Sequence, residues 1–454
     1  MRNYTIRSVV HASSISVLYS VTFYPHTRPG DEQIFATVGD GQVVIMGCGP
    51  TGVRVLACYT DENPDECFCS CCWTTDDAGA PLLAAGGKCG VVKLIDCGSG
   101  RLVQTLAGHG DEIFDMQTCP TAPHIIASSS GDHTVRLWST AARDRAQPCA
   151  VVCAGDGHRE QVLTIAFHDS GRFLLSGGVD NSVKLWCLPD LATLAVDANH
   201  PVVLHWPHFS TSSVHSNYVD SVAFYGDLVL SRAAKEFKIV LWRISGFDST
   251  ADPAGFEQTR APTNHDKRDT RSAFGDGFER LLQLSIPLTE PWYMRFARLA
   301  APGQPPLLAM GNDRARVLLW NLAALELDAR AARDALVAAR ARQPSDSDDA
   351  DDDHARAPTR RKRGRKRRGD HHAAAPRRPK RRSPDDCDDD DDDVDDDPAR
   401  RPALADPFAE TRAHLVLAVP RCRKLIRGLA FSPAGEYLVG VGDGGLVAMW
   451  SGLD

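Results

Sequence analysis

The chain has 454 residues, 43% of them hydrophobic and 24% charged, with a formal net charge of -8 at pH 7. That balance suits a protein with a sizeable buried core and excludes a chain that is disordered throughout. No run of about 18 apolar residues is present and the opening MRNYTIRSVVHASSIS lacks the apolar core of a secretory signal, so a soluble intracellular protein with no membrane partner is expected, its fourteen cysteines reduced.

The first predicted element is YTIRSVV (4–10), whose alternating residues suit a strand. A strand, turn and strand rhythm follows in LYSVTFYPHTRPGDEQIFATVGDGQVVIM (18–46). GCGPTG (47–52) has the G-x-G-x-x-G spacing of dinucleotide sites, yet VRVLACY behind it reads as another strand. No helix N-terminus is therefore expected to receive a pyrophosphate, and a hairpin turn is. The next unit, CFCSCCWTTDDAGAPLLAAGGKCGVVKLI (67–95), packs Cys67, Cys69, Cys71 and Cys72 into six positions. On one strand, side chains alternate between opposite faces, so four thiolates cannot converge on one zinc. No second half with paired Cys or His spacing exists, and no metal or cofactor is expected.

Residues 108–138 and 157–186 can be laid over each other almost position by position: His109, Ser128, Asp132 and Trp138 fall in the same order as His158, Ser176, Asp180 and Trp186. This is the WD40 signature, in which Asp in a tight turn, with His, Ser and Trp, satisfies buried polar groups. That structural role is preferred here to a Ser-His-Asp catalytic triad. Degenerate copies end at Trp242, Trp320 and Trp450, which brings the count to seven units. The expected fold is all-β, a seven-bladed WD40 propeller whose ring is closed by YTIRSVV as the outer strand of the blade begun at residue 426.

Blades 1 to 6 are expected within residues 1–320, with a surface-loop insertion at about 246–280. A larger insertion, 321–415, opens with the helix-favouring ALELDARAARDALVAARAR and should be disordered beyond Pro344; the last blade is expected in 416–454. The charges of this insertion are segregated. Six aspartates lie in Asp346–Asp353, fourteen Lys and Arg in Arg356–Arg382, and eleven aspartates in Asp385–Asp397. The basic island suits an import receptor or phosphate backbones, and without interleaved aromatics base stacking by nucleic acid has little support.

A propeller is a scaffold, so function must come from residues the repeat does not need. Trp292 and Tyr293 in PWYMRF are placed at the start of an inner strand, near an end opening of the ring, and Tyr19 lies in the corresponding strand of the first blade. Three aromatic faces around a narrow mouth would suit a quaternary ammonium, at ~0.5 to 2 kcal/mol per favourable contact. No convergent acid, base or metal set is found, and no enzymatic activity is expected.

Over all seven blades the chain resembles the WD40 subunit of Polycomb repressive complex 2, the family called extra sex combs, embryonic ectoderm development or fertilization-independent endosperm. FATVGDGQVVI, the DECFCSCCW unit, GHREQVL, SNYVDSVAFYGDLVLS, PWYMRF and IRGLAFSPAGEYLVGV carry the likeness; NYVD with GDLVLS, and WYMRF, are not generic WD40 features. The resemblance implies a noncatalytic nuclear subunit in transcriptional repression. One end of its ring would bind a trimethylated histone tail and the other a helix of a SET-domain methyltransferase, in a complex that includes a zinc-finger subunit. Mark binding would stimulate methylation of histone H3 lysine 27. By position the methyl-lysine cage falls on Tyr19, Trp292 and Tyr293, while Asp220, Arg295 and Arg427 match residues lining the same mouth. Cys69 departs from the tyrosine of the family's ENFYTCAW pattern, and Phe114, Gly131 and Gln161 stand where animal members carry polar or charged groups. The island Arg360, Arg361, Lys362, Arg363, Arg365, Lys366, Arg367 and Arg368 would serve as the nuclear import signal. The rival reading is a WD40 adaptor of another complex, such as a ubiquitin-ligase substrate receptor.

Residues 344–400 offer too little apolar surface to offset an ordering entropy of ~1 to 2 kcal/mol per residue. Replacing them with a short flexible linker should leave the melting temperature nearly unchanged and, in cells lacking the methyltransferase, shift the protein to the cytoplasm. A large loss of stability, or undiminished nuclear accumulation, would contradict the respective half of this expectation.

Overall fold

A computed structural model describes residues 2–76, 78–191, 200–251, 269–275, 277–327 and 406–452. They form seven sheets, each built on four antiparallel strands of increasing distance from the ring axis; blades 3, 4 and 5 carry a fifth strand, which joins parallel in blades 3 and 5 and antiparallel in blade 4. Blade 1 runs Ser20–Phe23, Gln33–Gly39, Gln42–Gly49 and Gly52–Thr60, and blade 2 runs Phe68–Thr75, Pro81–Gly87, Val92–Asp96 and Arg101–Leu106. The inner strands of blades 3 to 7 are Ile113–Cys119, Val162–Phe167, Val219–Tyr225, Ala297–Leu299 and Ile426–Phe431. Thr5–His11 pairs antiparallel with Leu446–Ser451 and completes blade 7. In blade 1 the glycine-rich stretch is the expected hairpin, with Gly49 paired to Gly52 and Gly52 at φ 116°.

Two boundaries move. Leu415–Ala418 pairs with Arg316–Leu319 as the outer strand of blade 6, so blade 7 starts at Ile426 rather than 416. The insertion read as a loop at 246–280 contains a strand, Thr270–Ser272, which adds a fifth strand to blade 4, and its end overlaps the start of Phe278–Ser285, the outer strand of blade 5. Polar composition hid Thr270–Ser272, whereas Phe278–Ser285 is apolar at Phe278, Leu281, Leu282 and Leu284. Residues 322–327 are helical. The rest of the predicted helix, the charged blocks, the basic island and residues 252–268 of the predicted loop lie outside the described residues. No described helix is long and apolar enough to cross a membrane.

The core consists of apolar layers between neighbouring sheets. Leu307, Leu319, Leu438 and Trp450 of blades 6 and 7 share one such layer, and Phe173, Val219, Phe224 and Trp242 of blades 4 and 5 another. The tryptophans that end the third strands, Trp138, Trp186, Trp242, Trp320 and Trp450, are no more than 1% exposed. A buried indole N–H needs an acceptor. Trp138 donates to Ser128 Oγ at 2.8 Å, whose other neighbour is His109 Nε2 at 2.8 Å, while His109 Nδ1 meets Asp132 at 2.8 Å. The same chain recurs in Trp186, Ser176, His158 and Asp180, with spacings of 2.9, 2.7 and 3.0 Å. A third copy, in a unit read as degenerate, has glutamate in the aspartate's place: Trp242 to Ser231 at 2.9 Å, Ser231 to His215 at 2.7 Å, and His215 to Glu236 at 2.9 Å. Its spacing was legible in the sequence once Glu is allowed for Asp. In blades 6 and 7 the register puts Met310 and Gly440 where the serine would be, two residues past the partner of each tryptophan.

Burial lowers the affinity of His109, His158 and His215 for a proton below its ordinary value, so all three are neutral in the fold. Burial also opposes ionisation of Asp132 and Asp180, but bonds from their histidines and neighbouring groups outweigh it and hold both well below the usual range. Glu236 falls to about 2 by the same balance. On acidification the unfolded chain takes up histidine protons near 6.5 that the native protein refuses, so stability is lost as pH falls below that value. The carboxylates add a second loss as pH falls below their unfolded values. The melting temperature should therefore decline from about pH 6.5 downward and more steeply below about pH 4.5. A flat profile between pH 7.5 and 5 would show that these networks do not carry stability.

Candidate functional site

The mouth at one end of the channel is built from the first residues of the inner strands. In five of the seven blades the pairing of the inner strand slips by one residue at its second position, leaving Cys69, Phe114, Leu163, Asp220 and Arg427 without a direct partner. A bulge puts two residues opposite one and re-aims a side chain. Strict alternation, which the sequence reading assumed for residue 69, therefore fails locally. Phe68 is fully buried in the layer between blades 1 and 2, while Cys69 joins Phe114, Leu163 and Tyr293 in a separate cluster bordered by Tyr19. In blades 1 and 6 the contribution comes from just ahead of the strand, from Tyr19 and from the irregular segment that carries Trp292 and Tyr293.

Three of the four named cage positions are aromatic, and they adjoin. The Tyr19 and Tyr293 ring centroids are 5.6 Å apart at 85°, and those of Trp292 and Tyr293 5.9 Å apart at 82°. Their environments differ sharply: Trp292 is 50% exposed, whereas Tyr293 is 3% exposed. Tyr293 ties three blades together, since its hydroxyl donates to the Phe114 carbonyl at 2.5 Å and lies 2.8 Å from that of Cys69. Burial pushes its phenol well above the ordinary value, so it remains a neutral donor. Cys69 is also protonated, held so by its hydrogen bond with Cys67 and by burial; its Sγ lies 3.2 Å from Glu112 Oε1.

Asp220 and Arg295 are supports rather than open lining. Asp220 is wholly inaccessible and ion-paired with Arg232, itself inaccessible. Arg232 also donates to the carbonyls of Thr289 at 2.6 Å, Pro291 at 2.9 Å and Met294 at 3.3 Å, while Asp220 accepts the Tyr293 N–H at 2.9 Å. This pair clamps the turn that presents Trp292 and keeps Tyr293 in the left-handed region at φ 61°, costly for a bulky residue. Nothing in the sequence around Arg232 or Asp115 signals these roles. Arg295 spans the channel, donating to Asp115 at 2.6 Å, Thr164 at 3.2 Å and the carbonyls of Phe114 and Leu163 at 3.0 Å each. Its guanidinium sits 4.9 Å from the Tyr293 ring centroid. Arg427 does reach the mouth, 5.6 Å from the Tyr19 centroid, and is bonded to Asp443 at 2.6 Å.

The fold and this mouth define a seven-bladed WD40 propeller with a cluster of aromatic side chains at one end of its channel. The WD domain, G-beta repeat family matches residues 100–139 and 149–187. Polycomb protein EED of Chaetomium thermophilum is 38% identical over 329 residues, covering 69% of this chain and 58% of that protein. Polycomb protein esc of Drosophila melanogaster is 32% identical over 67% of this chain and 70% of its own length, and Polycomb group protein FIE1 of Oryza sativa subsp. japonica is 32% identical over 64% and 72%. The crystal structure of the Chaetomium thermophilum polycomb repressive complex 2 contains a chain that matches this one with a TM-score of 0.76 and 29% identity, covering 99% of this chain and 98% of that one. Equal values hold for the same complex with H3K27me3 and H3K27M. The chain belongs to the EED/esc/FIE family of Polycomb WD40 proteins. It spans less than two thirds of the length of the Chaetomium relative.

Display and support can be separated by mutation. Trp292→Ala removes a half-exposed ring and should change stability by no more than about 0.5 kcal/mol. Asp220→Ala leaves Arg232 charged and buried and should cost ~3 to 5 kcal/mol in denaturant unfolding. Equal costs for the two would contradict this division.

Proposed function

We propose that this protein is a noncatalytic subunit of a polycomb repressive complex 2, a WD40 scaffold that holds a SET-domain histone H3 lysine-27 methyltransferase and reads trimethyl-lysine on the histone H3 tail to stimulate it. The observation that carries the reading is Trp292, half exposed at the mouth, next to Tyr293 and with Tyr19 beside it. Large exposed rings are not needed by the repeat, and a quaternary ammonium is drawn to such faces. The solved complex with H3K27me3 contains a relative of the same fold. Tyr19, Trp292 and Tyr293 are the cage in this reading, with Arg427 at its edge and Arg295 and Asp220 holding the walls in place. The methyltransferase and zinc-finger subunit would occupy surfaces away from the mouth. Work on chromatin places the protein in the nucleus, and the island Arg360–Arg368 would be its contact with an import receptor.

Calorimetric titration with histone H3 peptides tests the reading. A peptide trimethylated at lysine 27 should bind at least tenfold more tightly than the unmodified one, and Trp292→Ala should erase the difference while the methyltransferase still co-purifies. Equal binding of both peptides to the unmutated protein would remove the reader function. Co-purification with ubiquitin-ligase components in place of a SET-domain enzyme would remove the scaffold function.

A further inference from the structure

We propose that Phe114, on blade 3, is the fourth aromatic wall of the methyl-ammonium site, taking the place of the ring that Cys69 lacks on blade 2. The inference rests on the reader function and deepens it. Phe114 sits at the bulge of its inner strand, in the position that Cys69 holds in the neighbouring blade, and the two side chains share one buried cluster. Its ring centroid lies 6.3 Å from that of Trp292 at 68° and 6.5 Å from that of Tyr293 at 55°. With Trp292 and Tyr293 inclined at 82°, the three rings form a corner. Rings so inclined can turn several π faces toward one cation, which a parallel stack cannot.

Volume points the same way. A thiol beside a phenylalanine fills the space that a tyrosine beside a small polar side chain would fill, and exchanges that conserve volume are the ones a packed site tolerates. Charge gives Phe114 added weight. The Tyr293 and Tyr19 rings already face resident guanidiniums, from Arg295 at 4.9 Å and Arg427 at 5.6 Å. Trp292 and Phe114 have no such cation among the described residues, so no resident charge competes with a ligand for these two rings. Phe114 is only 3% exposed while Trp292 is 50% exposed. A ligand can therefore meet the Phe114 face only if Trp292 moves, which would place the two rings on it from different blades. Glu112, 3.2 Å from the Cys69 thiol, brings a carboxylate to the same edge.

The test compares a trimethyl-lysine peptide with its neutral isostere, in which carbon replaces the quaternary nitrogen. Phe114→Leu keeps the wall apolar but removes its π face. It should weaken the charged peptide by about two- to thirtyfold while leaving the isostere nearly unchanged. Cys69→Tyr alone should not tighten binding, because the space is taken, but combined with Phe114→Leu it should restore the preference for charge. If Phe114→Leu does not fold, a fluorinated phenylalanine at 114 keeps the shape and removes the negative face. Undiminished charge preference in these variants would overturn the assignment, as would tighter binding by Phe114→Leu, the mark of a plug. Should the unmutated protein fail to distinguish trimethylated from unmodified peptide, the reader function falls and this wall with it; if that distinction holds and only the Phe114 result fails, the reader stands without it.

Discussion

Seven inner strands that converge on one axis crowd their leading residues, and the mouth is what that crowding produces. Five strands relieve it with a bulge at the second residue, and the other two let the chain approach without regular pairing. Backbone carbonyls freed near the axis then need donors, since unsatisfied buried acceptors are costly. Arg295 answers the carbonyls of Phe114 and Leu163, Tyr293 that of Phe114, and Arg232 those of the turn before Tyr293. Each charge brought in is neutralised beside it, Arg295 by Asp115 and Arg232 by Asp220. The polar interior of the channel follows from closing the ring.

How much of this could be read from residues alone depends on how local each constraint is. The blades were legible because a buried tryptophan, a serine two places past its cross-strand partner and a His–Asp pair recur at fixed spacing within about 30 residues. Trp292 was legible because an aromatic pair opening a blade breaks the repeat. The bulges were not, because a bulge is a relation between two strands and leaves no mark on either. For the same reason Asp220 and Arg427 look alike in the sequence, as charged residues at equivalent places. One is sealed against Arg232 and the other stacks on Tyr19 at the surface. The short strand at 270–272 was missed for want of apolar pattern, and the start of blade 7 because the turn signal at Pro420, which separates the outer strand of blade 6 from Ile426, was passed over.

Support and display are thus carried by different side chains. Buried ion pairs and the Tyr293 hydroxyl fix backbone, while Trp292, Tyr19 and Arg427 face outward from it. A cation entering such a mouth meets two arginines already resting on tyrosine rings, so its welcome depends on the faces they leave and on the carboxylates nearby, Glu112 and Asp443. Under the proposed function, discrimination would come from how charge is shared among rings as much as from the number of rings.

The closing strand also sets a clock. Residues 5–11 are made before every other strand of the ring, yet their partner begins at Leu446, 435 residues later by 446 minus 11. At ribosomal speeds of ~5 to 20 residues per second that is a wait of roughly 20 to 90 s. Through that interval six blades can form in order, but the ring stays open and the edges at either end of the growing array are unpaired. Thr5–His11 is suited to waiting: short, with Arg7 and Ser8 among its apolar residues and an irregularity in its pairing between Ile6 and Ser8. Of the ring's strands, the earliest made is the last to find its place.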